Sequence, residues 1–180
     1  MLEDGLLKRK LRRRSPEALA HVYEKYVDVM LTLALGLLHD RAAAEDVVQD
    51  VFLSFARSAA GLRLRGRLRS YLVTGVLNRV RDLRKQQQRR PANASLPAEP
   101  VRESAGPDQA AVLGEEVARL NRAIAELPDE QREVVLLRLK ANLRFRDIAG
   151  LQRTSINTVL GRYRYALDRL RSSLNGEVER

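Results

Sequence analysis

Apolar residues recur every three or four positions in two long stretches of the chain, one on each side of a segment rich in proline. Because an α-helix completes a turn in 3.6 residues, this spacing places the apolar residues of each segment on one side of a helix. The pattern predicts an all-α protein made of two small helical domains joined by a flexible Pro-rich linker. The second domain has the arrangement of a helix-turn-helix.

The first predicted helix spans residues 16 to about 38. Ser15 is suited to cap it, a proline follows at the first helical position, and Glu17 complements the positive end of the helix dipole. His39 and Asp40 end this helix, and Asp40 is a candidate cap for the next one. The stripe predicted to be buried consists of Val22, Tyr26, Val29, Met30, Leu33 and Leu37.

The second predicted helix, residues 41 to about 58, has a polar side as well as an apolar side. Its apolar side consists of Val47, Val48, Val51, Phe52 and Phe55. Its polar side consists of Glu45, Asp46, Gln49 and Asp50. Clustered carboxylates can bind a divalent metal, but no histidine or cysteine lies near them, so we predict a docking surface for a partner and no metal site.

The third predicted helix runs from Arg67 to about Gln88, after a loop at residues 59–66 that Gly61 and Gly66 punctuate. Its buried stripe is predicted to consist of Leu68, Leu72, Val76, Val80 and Leu83. Another face carries Ser70, Thr74, Asn78, Arg81 and Lys85. Hydrogen-bonding side chains that grade into cations on one exposed face suit a helix that lies along DNA.

The proline-rich segment PANASLPAEPVRESAGP, residues 91–107, holds four of the six prolines and shows no apolar periodicity. Such a composition is typical of a flexible linker. We therefore predict a basic N-terminal arm at residues 1–14, a helical domain at 15–90, the linker at 91–107 and a second helical domain at 108–180. The arm, with its run KRKLRRR, could contact DNA phosphates or fray in solvent.

The second domain is predicted to begin with a helix capped by Asp108. This helix carries Val112, Val117, Leu120, Ile124 and Leu127 before Pro128. The next helix is predicted to bury Val134, Val135, Leu136, Leu137 and Leu139 and to end at Asn142.

A short helix at residues 145–151, a turn with the capping residues Thr154 and Ser155, and a long final helix follow in helix-turn-helix order. The residues predicted to be buried in the long helix are Ile156, Val159, Tyr163, Leu167, Leu170 and Leu174. The opposite face carries Asn157, Thr158, Gly161, Arg162 and Tyr165. An ordinary helical hairpin has the same pattern, so both interpretations stay open at this point.

Charge is concentrated in residues 57–90, which contain eleven basic residues and one acid, Asp82. The resulting local excess equals the formal net charge of the whole chain, +10 at pH 7, because basic and acidic residues cancel elsewhere. A dense positive patch on an otherwise balanced protein indicates a polyanionic partner, and nucleic acid is the commonest one. The alternative is a solvated helix face without a ligand.

Several classes of protein are excluded or disfavoured by the composition. The absence of cysteine removes disulfides, thiolate zinc sites and cysteine nucleophiles. The longest apolar run, residues 29–38, is shorter than the roughly 20 residues that a bilayer crossing needs, and the N-terminus lacks the pattern of a secretory signal. The two histidines, His21 and His39, do not lie near a plausible nucleophile with an orienting acid, which disfavours an enzyme. From these features together we expect a cytoplasmic protein without a membrane segment, a cofactor or enzymatic activity.

Four segments in order resemble the bacterial sigma factors of the extracytoplasmic-function group: RAAAEDVVQDVFLSFAR, SYLVTGVLNRVRDLR, ELPDEQREVVLLRL and FRDIAGLQRTSINTVLGRYRYALDRLR. The likeness extends from about residue 16 to residue 174, except for the linker. It implies a dissociable subunit of RNA polymerase. The first domain would dock on the polymerase clamp helices and recognise the promoter element near minus ten, and the second would recognise the element near minus thirty-five.

The resemblance also implies roles for individual residues. Polymerase contacts would come from Glu45, Asp46, Gln49 and Asp50. The downstream promoter element would be held by Arg63, Arg65, Arg67, Ser70, Tyr71, Thr74, Asn78, Arg81 and Lys85. The upstream element would be contacted by Arg153, Ser155, Asn157, Thr158 and Arg162. Core RNA polymerase and promoter DNA are thus the expected partners, and an anti-sigma factor is a further candidate.

The chain departs from the family pattern at a few places. The loop before the third helix, LRLRGRL, lacks the usual aromatic residues, and Tyr71 occupies the position of a tryptophan. Arg153 stands where the turn usually has glycine; either it adopts a positive φ at a cost of roughly 1 kcal/mol, or the turn differs and Arg153 contacts phosphate. Leu160 replaces a lysine that is common in the recognition helix, so the upstream element is expected to differ from the usual one.

Other functions are weighed against this hypothesis. A helix-turn-helix regulator that acts without polymerase explains the second domain but not the acidic helix beside the basic stretch. An RNA-binding or assembly protein explains only the charge. An enzyme is the weakest alternative, because no catalytic constellation is visible.

Overall fold

The computed structural model describes residues 7, 9–11, 13, 15–59, 61, 67–89 and 109–176. The chain divides into two compact units, Met1–Pro97 and Ala98–Arg180. Described residues of both units are helical or lie in turns between helices, in agreement with the predicted all-α class. The predicted linker, the cap Asp108 and the loop arginines Arg63 and Arg65 lie outside the described residues.

The described part of the first unit includes three long helices that each pack against the other two: α1 at Pro16–Leu38, α2 at Arg41–Ser58 and α3 at Leu68–Arg89. The predicted ends of α1 and α2 are confirmed. The hydroxyl of Ser15 accepts a hydrogen bond from the Ala18 N–H at 3.2 Å, and Asp40 accepts one from the Ala43 N–H at 3.0 Å. Between the two helices, His39 adopts a left-handed conformation with φ 57°, which ends α1.

Ser15 has a second role at the start of α1. Its hydroxyl donates a hydrogen bond of 2.6 Å to the carboxylate of Glu17. This bond, followed by a hydrogen bond from the backbone N–H of Glu17 and the positive charge of Lys10, lowers the pKa of the Glu17 carboxyl below its ordinary value. The cap therefore stabilises the helix end through both the backbone and a charged side chain.

The core of the first unit comes from one side of each helix. It is formed by Ala18, Val22, Tyr26, Met30, Leu33, Ala34, Leu37, Ala44, Val47, Val48, Val51, Phe55, Leu68, Leu72, Val73, Val76, Leu77 and Val80. The close approach of α2 and α3 depends on Gly75, because a Cβ at that position would lie 2.8 Å from Cγ1 of Val51. Leu7 and Leu11 of the basic arm are also buried, while Arg9, Lys10 and Arg13 are exposed.

The second unit has four helices in its described part: α4 at Gln109–Ala125, α5 at Asp129–Leu139, α6 at Phe145–Gln152 and α7 at Ile156–Gly176. Helix α7 packs against the other three, and α5 also packs against α6. The core is formed by Ala123, Ile124, Leu127, Val134, Val135, Leu136, Leu137, Ala141, Leu143, Ile148, Ala149, Val159, Ala166 and Leu170.

Two of the leucines and isoleucines predicted to be buried in this unit are exposed. Leu139 is 56% exposed and Ile156 is 46% exposed, so the prediction was wrong for both. Leu139 is the last residue of α5 and Ile156 is the first residue of α7. Val117 and Leu120 of α4 are exposed as well.

Arg132 is a buried cation that the apolar pattern did not indicate. Its side chain donates to the backbone oxygens of Ile124 at 3.2 Å, Ala125, and Leu127 at 2.8 Å, and to the Asp129 carboxylate at 3.1 Å. These carbonyls belong to the end of α4 and the turn after it, where a helix leaves its last carbonyls without the usual N–H partners. Arg132 thus closes the α4–α5 corner.

Candidate nucleic-acid and protein-binding surfaces

The acidic face of α2, defined as Glu45, Asp46, Gln49 and Asp50, is exposed at all four positions. It lies on the side of α2 away from the buried Val48, Val51 and Phe55. Glu45 accepts a hydrogen bond of 2.8 Å from Nε of Arg41 one turn earlier, and both side chains remain more than half exposed. The structure therefore brings the predicted docking residues together on one solvent-facing surface.

Asp50 connects the acidic face to the basic helix α3. Its Oδ2 accepts hydrogen bonds from Nε of Arg79 at 3.0 Å and from Nη2 at 2.7 Å. The side chains are 40% and 51% exposed for Arg79 and Asp50, so the pair is accessible to water. A groove between the two helices is lined by Ala43, Asp46, Val47, Gln49, Asp50, Arg79 and Leu83.

Leu53 is a candidate contact that the sequence interpretation missed. It is 46% exposed and follows Gln49 by one helical turn, on the same side as Asp46 and Asp50. The helical spacing from Gln49 was the signal that could have found it. An exposed leucine at the C-terminal edge of the acidic face adds apolar area to this surface, and apolar area is a common component of protein–protein interfaces.

The polar face of α3, defined as Ser70, Tyr71, Thr74, Asn78, Arg81 and Lys85, lies opposite the buried stripe of that helix. Asn78 and Lys85 are exposed, and Tyr71 is 37% exposed. The hydroxyl of Thr74 donates a hydrogen bond of 2.7 Å to the Ser70 carbonyl. Arg67, just before the helix, is exposed.

Two arginines of the basic stretch have structural roles instead. Arg79 binds Asp50 of α2, and Nη2 of Arg84 donates to the Leu37 carbonyl at the end of α1 at 2.7 Å. They lie on either side of the polar face and tie α3 to its two neighbours. Some cations of this helix therefore hold it against its neighbours, whereas Arg81 and Lys85 belong to the polar face.

Tyr71 is held by a row of aromatic side chains that crosses the first unit. Its ring centroid lies 6.0 Å from that of Phe55, which lies 6.0 Å from Phe52. Phe52 in turn makes an edge contact with Tyr23 of α1 at 4.9 Å. Aromatic contacts of this kind fix ring orientation, so the buried Phe55 positions Tyr71 at the surface.

The turn between α6 and α7 is closed by a non-glycine residue in the left-handed region. Arg153 has φ 51° and ψ 45°, and its N–H donates to the carbonyls of Ala149 and Gly150. The N–H of Thr154 donates to the Ala149 carbonyl at 3.0 Å. Of the two alternatives for this position, the turn therefore has the geometry usually built with glycine, with arginine in its place.

The start of α7 carries the predicted upstream-element residues Ser155, Asn157 and Thr158, all exposed. The Ser155 hydroxyl accepts the Thr158 N–H at 3.0 Å and lies 2.9 Å from the Thr158 hydroxyl. Ser155 is thus the helix cap, as predicted. Asn157 projects from the first turn on the side opposite the buried Val159.

Arg162 turns inward, toward the other helices of the unit. Its guanidinium donates to Gln152 Oε1 at 2.8 Å and forms an ion pair with the carboxylate of Glu130. The Gln152 amide donates to the Glu130 carbonyl and to the Glu133 carboxylate, each at 3.1 Å. With its side chain 22% exposed, Arg162 links α7 to α5 and α6.

Two features are absent from the part of the chain that the structure describes. No group of three histidine, aspartate or glutamate side chains there is arranged to hold a metal ion. No helix in the same residues has the length and apolar character that crossing a membrane requires.

Comparison with known proteins identifies the first unit. Residues 22–90 match the family model described as Sigma-70 region 2. This span contains most of α1 and the whole of α2 and α3, and therefore both the acidic face and the polar face.

Whole-chain comparisons extend the match to the second unit. The chain is 29% identical to the ECF RNA polymerase sigma factor RpoE of Cereibacter sphaeroides, covering 90% of this chain and 89% of the relative. It is 25% identical to the RNA polymerase sigma-H factor of Pseudomonas aeruginosa, covering 89% and 88%. The fold is similar to that of the sigma factor RpoE of Bartonella quintana, solved with the anti-sigma factor NepR, with a TM-score of 0.69, 20% identity and coverage of 86% and 97%. The first unit thus matches sigma-70 region 2, and over most of its length the chain is similar to RNA polymerase sigma factors of the extracytoplasmic-function group.

Proposed function

We propose that the chain is a sigma factor of the extracytoplasmic-function group and that it docks on the clamp helices of core RNA polymerase through the acidic face of α2. The observation that carries the proposal is the arrangement of two functional faces on one bundle. The Asp50–Arg79 pair joins the acidic face to α3, the helix that carries the polar face, so docking would fix the direction in which α3 faces DNA. The chain itself is assigned no covalent chemistry.

The polar face of α3 is proposed to bind the downstream promoter element. Arg81 and Lys85 supply attraction to phosphates, while Asn78 and the other hydrogen-bonding side chains are available to bases. Tyr71 provides a ring of the kind on which unstacked bases pack. Trapping bases of the opened strand would offset unstacking, which costs a few kcal/mol per base. Arg63, Arg65 and Arg67 are proposed to contribute from the preceding loop.

The N-terminal part of α7 is proposed to bind the upstream element. Asn157 and Thr158 would contact base edges, and Arg153 would contact a phosphate of the DNA backbone. This is the position in which a recognition helix enters the major groove. Two weak DNA contacts on separate units gain from effective concentration once polymerase holds both. The pairing of a downstream and an upstream contact would select a limited promoter set.

In vitro transcription with core RNA polymerase tests this function. The expected result is initiation at discrete sites of genomic DNA only when the chain is added. Sites identified by sequencing should share two short motifs at a fixed spacing. Absence of any promoter-specific initiation by the reconstituted holoenzyme would reject the proposal.

The docking surface is tested by reversing charge on the acidic face. Asp46→Lys with Asp50→Lys is expected to abolish co-purification with core polymerase. The matched control is Glu24→Lys with Asp28→Lys, which changes the same charge at the same spacing on exposed positions of α1. Equal loss of binding in both double variants would show a general charge effect and contradict the assigned surface. The single variant Asp46→Lys leaves the Asp50–Arg79 pair intact, so a loss of polymerase binding in this variant could not be ascribed to disruption of that pair.

The same assay separates the main rival. A helix-turn-helix regulator that acts without polymerase would bind one DNA motif equally well with or without the enzyme. We expect sequence-specific binding by the full chain to depend on polymerase, because each contact alone is weak.

An anti-sigma factor is proposed as a regulatory partner, on the basis of the similar Bartonella quintana protein solved with one. We place the action of the chain in the cytoplasm, with its polymerase. A purified anti-sigma candidate should compete with core polymerase for the chain. Formation of a stable ternary complex of chain, candidate and core polymerase would contradict inhibition by competition.

A further inference from the structure

Two large apolar side chains are exposed at the start of α7, where the core does not need them. Ile156 is 46% exposed and Leu160, one helical turn later, is 42% exposed. The buried side of the same helix is formed by Val159, Ala166 and Leu170. Since helix positions four apart share a face, Ile156 and Leu160 form a short apolar edge beside the core.

Gly161, next to Leu160, has no internal packing reason to be glycine. A Cβ at this position would meet no atom within 4 Å, whereas one at Gly75 would collide with Val51. Glycine in the interior of a helix is destabilising relative to alanine. The missing side chain therefore leaves space on the outside of α7, as expected where another molecule approaches the backbone closely.

The surroundings of this space favour duplex DNA as the occupant. Asn157 precedes Gly161 by one turn and Arg164 follows Leu160 by one turn, and both are exposed. The exposed Arg153 lies in the turn just before the helix. Cations at both ends of an apolar and amide-bearing surface are complementary to a groove that is flanked by phosphates.

We propose that Leu160 contacts the 5-methyl group of a thymine in the major groove of the upstream element, with Ile156 packing beside it. The absence of a side chain at Gly161 lets α7 approach the base edges closely enough for this contact. The inference deepens the proposed function and rests on it. Thymine is the only DNA base with a methyl group in the major groove, so an apolar side chain there selects an A·T pair of defined orientation.

The chemistry at this position differs from that of a cation. A lysine would be drawn to phosphate or to guanine acceptors, whereas leucine gains only by removing apolar surface from water. The contact therefore adds to base choice without adding to the salt dependence of binding. Removal of one buried methyl group is expected to weaken binding about three- to tenfold.

The test uses holoenzyme reconstituted from core polymerase and the full chain. Duplexes with a randomised upstream element are selected with the wild type, Leu160→Ala and Leu139→Ala; the last removes a similarly exposed leucine from α5. The wild type should select a thymine at one position, Leu160→Ala should lose that preference, and Leu139→Ala should keep it.

The selected duplex is then prepared with uracil at each thymine in turn, which removes only the methyl group. Uracil at one position should lower the affinity of the wild-type holoenzyme about three- to tenfold. The same replacement should leave the affinity of the Leu160→Ala holoenzyme unchanged. The slope of affinity against salt should be the same for both proteins. An unchanged thymine preference in Leu160→Ala, or no effect of uracil at any position, overturns the inference while leaving the sigma function intact.

Gly161→Ala provides an independent readout. The variant should raise the melting temperature of the protein, because alanine favours a helix and meets no internal obstacle. It should nevertheless weaken binding of holoenzyme to the selected duplex by about tenfold or more, because the new methyl group occupies the approach. Unchanged DNA affinity would contradict a close approach at Gly161. If the wild-type holoenzyme showed no promoter-specific binding at all, the proposed function itself would be rejected.

Discussion

The guanidinium of Arg79 on α3 donates two hydrogen bonds, of 3.0 Å and 2.7 Å, to one carboxylate oxygen of Asp50 on α2. This pair joins the acidic face to the helix that carries the polar face. A residue expected to contact polymerase is thus already oriented by a residue of the basic stretch. The pair gives the docking surface a defined shape before any partner binds.

Disruption of this pair should change stability little and polymerase binding more. Because both side chains are part exposed, the coupling between Asp50→Ala and Arg79→Ala in the free energy of unfolding should be below about 1 kcal/mol and should decrease with salt. Urea denaturation of the wild type, both single variants and the double variant measures it. Polymerase affinity should fall more for Asp50→Ala than for Arg79→Ala. Equal losses would indicate that Asp50 acts only by holding Arg79.

Gly75→Ala should destabilise the first unit. The added methyl group would lie 2.8 Å from Cγ1 of Val51, which the helices must move apart to accommodate. We expect a loss of about 1–3 kcal/mol in the free energy of unfolding, in spite of the better helix propensity of alanine. In a Val51→Ala background, where the obstructing methyl groups are absent, the loss should be smaller. A stabilising effect of Gly75→Ala would contradict the close contact between α2 and α3.

Arg153→Gly should stabilise the second unit by about 0.5–1 kcal/mol, because glycine adopts the positive φ of this turn without a steric penalty. Arg153→Ala is the matched control: it removes the same charge but keeps a Cβ in the left-handed region. Thermal denaturation of both variants separates the backbone effect from the charge effect. If Arg153 also contacts a phosphate, both variants should lower the slope of DNA affinity against salt by about one. Equal stability of the glycine and alanine variants would contradict strain at this turn.

Arg162→Ala should destabilise the second unit by about 1–2 kcal/mol, because it leaves Gln152 and Glu130 without their charged partner. Arg164→Ala removes an exposed cation from the same helix and should change stability by less than about 0.5 kcal/mol. The salt slope of DNA binding should fall for Arg164→Ala and not for Arg162→Ala. A lower salt slope for Arg162→Ala but not for Arg164→Ala would indicate that Arg162 contacts the DNA backbone directly.

The Glu17 carboxyl should titrate below its ordinary pKa, because the Ser15 hydroxyl stabilises the ionised form. A carboxyl with a lowered pKa in the folded state stabilises the protein above its unfolded pKa. That contribution is lost as the pH falls through the lowered value. Ser15→Ala should raise the pKa of Glu17 toward its ordinary value, which an NMR titration of the side chain measures. An unchanged pKa in this variant would remove Ser15 as the cause.

The sequence by itself determined the helices and most of their ends, although α5 ends at Leu139 and not at the predicted Asn142. These features are local: apolar spacing selects the buried side of a helix, and the caps at Ser15, Asp40 and Ser155 satisfy backbone groups within three residues. The clustering of carboxylates on α2 and of polar residues on α3 follows from helical periodicity alone. The all-α class and the existence of the acidic face and the polar face were therefore predictable.

Only the tertiary structure decided which members of those faces point outward. Arg162 has the same chemistry as Arg164, yet Glu130, which is distant in the sequence, holds its guanidinium against α5. Asp50 likewise holds Arg79 against α2. Leu160 is exposed although it directly follows the buried Val159 on the same helix. The sequence specifies the charge and size of each side chain, but long-range contacts in the folded protein decide whether that side chain packs in the core or lies at the surface.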